Sequence, residues 1–182
     1  MEKVEQKYTN RSVTHPVTQD PGITDQHGRS FIYLRIAVNE KCNLRCIYCM
    51  PEKGISFEPP DKLLTRKEVI RVIQVVAKLG VNKIRFTGGE PLLRKDLVEL
   101  VSGAAETPGI DSINLTTNGV LLANAVEALK DAGLTGVNVS IDTLEKAQYT
   151  EITRRDYIDK ACKGLEAANR AGITTTKVNV VA

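Results

Sequence analysis

No stretch of this 182-residue sequence approaches the roughly 20 consecutive apolar positions that a membrane-crossing helix needs, and the polar residues 1–20 lack the apolar run of a secretory signal. The sequence therefore reads as soluble and intracellular, in the cytoplasm or, for a eukaryotic source, in the mitochondrial matrix. An excess of one charge is also missing. The 25 basic and 22 acidic side chains leave a net charge of +3, too small and too evenly spread to imply a nucleic-acid or membrane partner, so any cationic site has to be local. The 13 glycines and 7 prolines are too few for a collagenous or low-complexity chain. Histidine is scarce as well, and neither His15 nor His27 stands at a ligand-like spacing.

Residues 1–30 are polar, mixed in charge and without a period of two or 3.6, and they read as a mobile arm. From Phe31 onward, short β-branched runs alternate with amphipathic stretches closed by glycine, the pattern of βα units around a parallel sheet. Strands are expected over 32–38, 83–87, 112–117, 137–141 and 174–181. A first helix is expected from Thr65, where Thr65 and Glu68 make a capping box and Gly80 supplies the stop. Further helices are expected across Leu97, Leu100, Val101 and Ala104, over 123–132 and over 158–171. The fold class is α/β, a partial TIM-type (β/α) barrel truncated after about five strands and occupying 31–182.

Chemistry in such folds gathers at the carboxyl ends of the strands, and the unusual segments of this chain follow strands. A cysteine loop follows the first, Thr87-Gly88-Gly89-Glu90-Pro91 the second, Thr116-Thr117-Asn118-Gly119 the third, and Ser140-Ile141-Asp142 the fourth. Three of the four cysteines, Cys42, Cys46 and Cys49, crowd into eight residues, too tight for a disulfide framework. Thiolates select zinc or iron–sulfur clusters; a structural zinc site wants four protein ligands, and a fourth is missing here. Three cysteines on a 4Fe-4S cluster leave one iron open for a small molecule, which favours the cluster. Cys162 falls on the apolar face of its helix and reads as a small core residue.

The cysteine spacing with an aromatic before the last cysteine, and Gly-Gly-Glu-Pro after the second strand, resembles the radical S-adenosylmethionine (SAM) superfamily. Gly28-Arg29, Tyr33-Leu34-Arg35, the run from Glu40 to Cys46, Tyr48-Cys49-Met50-Pro51-Glu52, Lys83-Ile84-Arg85, Leu115-Thr116-Thr117-Asn118-Gly119, Asn138-Val139-Ser140-Ile141-Asp142 and Lys177-Val178-Asn179 narrow the resemblance. Together they resemble the GTP 3',8-cyclase family of molybdenum cofactor biosynthesis, over about residues 25–182. The resemblance implies that Cys42, Cys46 and Cys49 hold a 4Fe-4S cluster and that SAM, on the open iron, meets Tyr48, Thr87, Gly89 and Ser140. It implies GTP as substrate, held by Arg35, Arg85, Thr116 and Lys177, and conversion to 3',8-cyclo-7,8-dihydro-GTP after hydrogen abstraction at C3'. A reductant or electron-donor protein and a homodimer are the further partners it admits. The family continues into a C-terminal region with a second 4Fe-4S cluster. That region is missing here, which suggests a fragment whose 182 residues alone are inactive as a cyclase.

Bland readings stand beside these. Arg35 and Lys177 also admit a reading as paired or edge charges, though their match to family positions favours inward placement; Gly88-Gly89 reads as a strand-to-helix turn, Tyr48 as a packing aromatic, and Thr116 and Ser140 as ordinary polar strand residues. A radical SAM enzyme acting on another substrate would keep the cysteines but has no need of the cationic set. A truncated, non-catalytic chain that binds a cluster is the other alternative.

Overall fold

The computed structural model describes residues 22–181. Its centre is a five-stranded parallel sheet, β1 (Tyr33–Ala37), β2 (Lys83–Thr87), β3 (Ser112–Thr117), β4 (Gly136–Ser140) and β5 (Thr175–Asn179), whose spatial order follows the chain. The connections carry α1 (Arg66–Lys78), α2 (Leu97–Ala105), α3 (Val126–Asp131), α4 (Lys146–Thr153) and α5 (Ile158–Arg170). The sheet does not close: β1 and β5 are its two edges. Of the arm expected over 1–30, residues 1–21 lie outside the described residues. Residues 22–31 make a tight turn in which Thr24 bridges Ser30 and the Ile23 amide donates to the Leu79 carbonyl.

Local chemistry accounts for most boundaries. Thr65 caps α1 reciprocally with Glu68: the Glu68 amide donates to Thr65 Oγ1, and the Thr65 amide donates to the Glu68 carboxylate at 2.8 Å. The helix stops where Gly80 turns with φ of 92°, a conformation that costs glycine little. The third helix departs from the expected 123–132. Leu122–Asn124 is a 3-10 turn and α3 begins only at Val126. Helix α5 packs closely on this segment: a Cβ at Gly164 would lie 2.1 Å from the Gly119 oxygen and 3.1 Å from Leu122 Cβ. The last strand ends at Asn179 rather than 181, because the Val181 amide leaves the ladder to donate to Asp142 Oδ1. Helix α4 has no counterpart in the sequence reading.

The two faces of the sheet differ in kind. Ile84, Phe86, Ile113, Leu115, Val137 and Val139 point to one side and are buried with Ile73, Leu100, Val101, Leu129, Ala161 and Ala168 of the helices. The alternate positions, including Arg35, Arg85, Thr116, Asn138, Ser140 and Lys177, point to the other side. Parallel strands covered on both faces read as continuous apolar runs. Here polar and apolar positions alternate, so one face is a core and the other a polar floor.

Candidate functional site

The loop bearing the three clustered cysteines leaves β1 at Val38 and is seated by the turn after β2. The Gly89 amide donates to the Asn39 oxygen, the Glu90 amide donates to the Lys41 oxygen at 2.7 Å, and Asn39 Nδ2 donates back to the Glu90 oxygen. This seating explains the paired glycines. A Cβ on Gly88 would lie 2.3 Å from the Asn39 oxygen, and one on Gly89 would lie 2.4 Å from the Lys41 oxygen. The space beside Gly89 is thus filled by the chain's own loop. Further along, Leu44 and Met50 are buried anchors, and the Arg45 and Ile47 amides donate to the Thr153 and Ile152 oxygens at the end of α4.

Cys42 is half buried, and its sulfur accepts from the Leu44 amide at 3.4 Å and from Asn118 Nδ2 at 3.8 Å. Cys46 is partly buried and Cys49 is exposed. Burial pushes the Cys42 and Cys46 thiols up from their ordinary range, and charge on neighbouring cysteines pushes in the same direction. Among the described residues no three His, Cys, Asp or Glu side chains converge closely enough to hold a metal ion, the three cysteines included. Three thiols on one loop, with no fourth cysteine or histidine beside them in the sequence of that loop, are a donor set whose chemistry suits an iron–sulfur cluster with one open iron.

Below the loop, Glu90 is fully buried and organises the ends of β2 and β3. Its carboxylate accepts from the Leu92 amide, from Thr117 Oγ1 at 2.8 Å and from the Asn118 amide at 2.8 Å. Burial raises its pKa, and these hydrogen bonds oppose the rise. Asn118 in turn donates to Asn43 Oδ1 at 2.7 Å, which ties β3 to the cysteine loop. On the far side of the loop the Tyr48 hydroxyl reaches Asp142, the residue two beyond β4.

The polar floor gathers the other expected residues. Arg35 and Arg85 are direct neighbours in register on β1 and β2, and Thr116, Asn138 and Lys177 lie side by side across β3, β4 and β5. Arg85 Nη1 donates to Thr116 Oγ1 at 3.3 Å, and its Nε is buried without a partner among the described residues. Like charges opposite each other on paired strands repel. Among the described residues no carboxylate pairs with Arg35, Arg85 or Lys177, so the floor presents uncompensated positive charge. Lys83, two positions before Arg85, adds to it. Thr87 and Ser140 stand at the carboxyl ends of β2 and β4, both half buried.

The structure thus brings Arg85 and Thr116 into contact, places Arg35 and Lys177 on the same face, and sets the three thiols at its carboxyl end. Sequence reasoning passed over Glu90, Asn118 and Asp142 as individual residues, although each lies in a segment noted for following a strand. Arg154, whose guanidinium donates to two carbonyls of the cysteine loop, carried no signal. No helix among the described residues is long and apolar enough to cross a membrane.

Residues 36–182 match the model of the Radical SAM superfamily. Over 159 residues the chain is 46% identical to a GTP 3',8-cyclase of Listeria monocytogenes serotype 4b, covering 87% of this chain and 48% of that protein. Over 171 residues it is 45% identical to the molybdenum cofactor biosynthesis protein moc-5 of Caenorhabditis elegans, covering 94% of this chain and 28% of the relative. The chain spans about half the length, or less, of these curated relatives. Among solved structures, methylornithine synthase (PylB) superposes with a TM-score of 0.67 at 18% identity, covering 82% of this chain and 44% of that one. Streptococcus suis SuiB bound to S-adenosylmethionine gives 0.66 at 22% identity, with 82% and 32% covered. At those identities the likeness is one of fold.

Proposed function

The chain belongs to the radical SAM superfamily, and from that premise we propose that it serves the GTP 3',8-cyclase reaction of molybdenum cofactor biosynthesis. When bound, a reduced 4Fe-4S cluster and SAM supply a carbon radical able to remove the C3' hydrogen of GTP, opening the way to 3',8-cyclo-7,8-dihydro-GTP. The chain's own residues bind and aim. Cys42, Cys46 and Cys49 hold the cluster. Tyr48, Thr87, Ser140 and the backbone at Gly89 line the SAM position around the carboxyl ends of the strands. Arg35, Arg85, Thr116 and Lys177 take the triphosphate, where guanidinium forks match phosphate oxygens, and so fix the ribose toward the thiol end of the floor.

The observation that carries the reading is the in-register pair Arg35 and Arg85, without a carboxylate among the described residues, on the same floor as Lys177. A radical SAM enzyme for an uncharged substrate has no use for such a row. An external reductant, protein or small molecule, supplies the electron. A second cluster belongs to the remaining length of the relatives, and the compartment is the cytoplasm or the mitochondrial matrix.

Anaerobic reconstitution with iron and sulfide tests the reading. Bound iron and sulfide in 4Fe-4S stoichiometry, release of 5'-deoxyadenosine from SAM under dithionite, and GTP binding to the same sample support it. A folded, reconstituted chain that neither cleaves SAM nor binds GTP overturns it. Cyclised GTP is not expected from these 182 residues alone, and its detection by mass spectrometry would show that the additional length of the relatives is dispensable.

A further inference from the structure

Arg154 follows α4 as its C-cap with φ of 54° and ψ of 27°. It is the only non-glycine residue with positive φ among the described residues. Glycine or asparagine is the usual occupant of such a left-handed cap, because a longer side chain pays for the conformation in steric strain. Something has to offset that strain. The Arg154 side chain leaves the helix and donates from Nη1 to the Arg45 oxygen at 2.8 Å and to the Met50 oxygen at 3.2 Å, more than a hundred positions earlier in the chain.

Those two carbonyls belong to the residue immediately before Cys46 and the residue immediately after Cys49. One guanidinium nitrogen therefore grips both ends of the turn that carries two of the three thiols. No other side chain bonds to both ends of this turn among the described residues. Its internal bonds, from the Cys49 and Met50 amides to the Cys46 oxygen, fix its shape from one side only. The Thr153 and Ile152 carbonyls hold its entry through Arg45 and Ile47. Among the described residues no carboxylate engages Arg154, so its charge is directed at the turn.

We propose that Arg154 is a positioning residue that sets the separation of Cys46 and Cys49, kept in a left-handed conformation because glycine there could not span the turn. That it serves a cluster rests on the reading of Cys46 and Cys49 as ligands. The clamp itself does not, so the first measurement uses the chain without iron.

Arg154→Gly relieves the strain and removes the grip. The thermal midpoint should hold or rise, while amide exchange at Ile47, Cys49 and Met50 should speed up on the order of tenfold or more, since two charge-assisted hydrogen bonds to the turn are lost. Arg154→Asn, which tolerates the same conformation but is too short to reach the loop, should behave alike. After reconstitution, both variants should lose iron to a chelator several-fold faster than the native chain. Unchanged exchange at all three amides, or acceleration spread over the whole chain with a lower midpoint, would overturn the clamp. Normal cluster loading by Cys46→Ser would overturn the ligand reading and leave the exchange result intact.

Discussion

The Tyr48 hydroxyl donates to Asp142 Oδ2 at 2.5 Å, joining the cysteine loop to the chain just beyond β4 across 94 positions of sequence. The other oxygen of the same carboxylate accepts the Val181 amide at 2.9 Å. One side chain thus ties together the loop, the end of β4 and the segment after β5.

This contact leaves a titration signature. Burial, and then the bond to Asp142, raise the Tyr48 phenol above its ordinary pKa of 10.0. A folded value above the unfolded one favours the neutral phenol, so the contribution to stability is complete below pH of about 10 and is lost as pH rises through the folded value. Asp142→Ala should bring Tyr48 ionisation back toward the ordinary value. Alkaline difference spectra of the phenolate band, referenced to Tyr48→Phe, measure it. Coincident titrations in the two backgrounds would remove Asp142 from the account.

Gly89→Ala should destabilise the chain and dislodge the cysteine loop together. Its Cβ would fall 2.4 Å from the Lys41 oxygen and 2.5 Å from the Glu40 oxygen, both backbone atoms that cannot swing aside. Overpacking of this kind costs about 1 to 3 kcal/mol. The expected result is a lower urea midpoint together with faster alkylation of Cys42. A variant of native stability and native thiol reactivity would mean that the loop has room to move.

Glu90 gives the opposite pH behaviour from a surface carboxylate. Its folded pKa is raised by burial above the unfolded value of 4.5, so its contribution is present below that value and lost as pH rises through the folded one. The stability difference between the native chain and Glu90→Gln should therefore shrink as pH climbs through this window. Glu90→Ala, which strands the donors of Leu92, Thr117 and Asn118, should cost about 3 kcal/mol. Chemical denaturation of the three proteins on either side of the window checks both statements, and a constant difference between native and Gln forms would refute the first.

Arg85→Ala separates binding from stability. The guanidinium contributes one bond to Thr116, lies over the Tyr33 ring at 5.7 Å and leaves its Nε unpaired, so its loss should lower the thermal midpoint only modestly. Affinity for GTP should fall on the order of tenfold or more, as expected for a lost charge-assisted phosphate contact. Calorimetric titration with GTP and with guanosine distinguishes the cause. Equal weakening of both ligands would place Arg85 at the base rather than at the phosphates.

Much of this architecture was legible in the sequence because parallel strands with one polar face announce themselves. Ser112-Ile113-Asn114-Leu115-Thr116 and Gly136-Val137-Asn138-Val139-Ser140 alternate strictly, and the turns that follow carry the loop chemistry. Register then brings Arg35 beside Arg85, a pairing the sequence alone does not specify. Helix α4 escaped because Lys146–Thr153 offers only Ala147, Tyr149 and Ile152 as apolar positions among polar ones, too weak a period to read. Its start depends on Glu145 accepting from the Ala147 and Gln148 amides, an acidic cap easily taken for a surface charge. The contact that excludes a side chain at Gly89, with the backbone of Glu40 and Lys41, is a long-range approach the local sequence does not specify. Arg154 was opaque, since nothing in the local sequence marks an arginine as the left-handed end of a helix.

The in-sequence order of the sheet bears on how the protein is made. Each strand pairs with the strand before it and, when it appears, with the one after. A nascent chain leaving the ribosome therefore always finds its template already present: β1 waits for β2, and the β1–β2 ladder can close with nothing beyond Thr87 yet synthesised. The two thiol-bearing ends of the cysteine loop are gripped only later, when Thr153 and Arg154 emerge. Until Thr153 and Arg154 have been synthesised, 104 to 109 residues after the carbonyls that Arg154 meets, the turn from Arg45 to Met50 lacks these partners, so its final shape waits for α4.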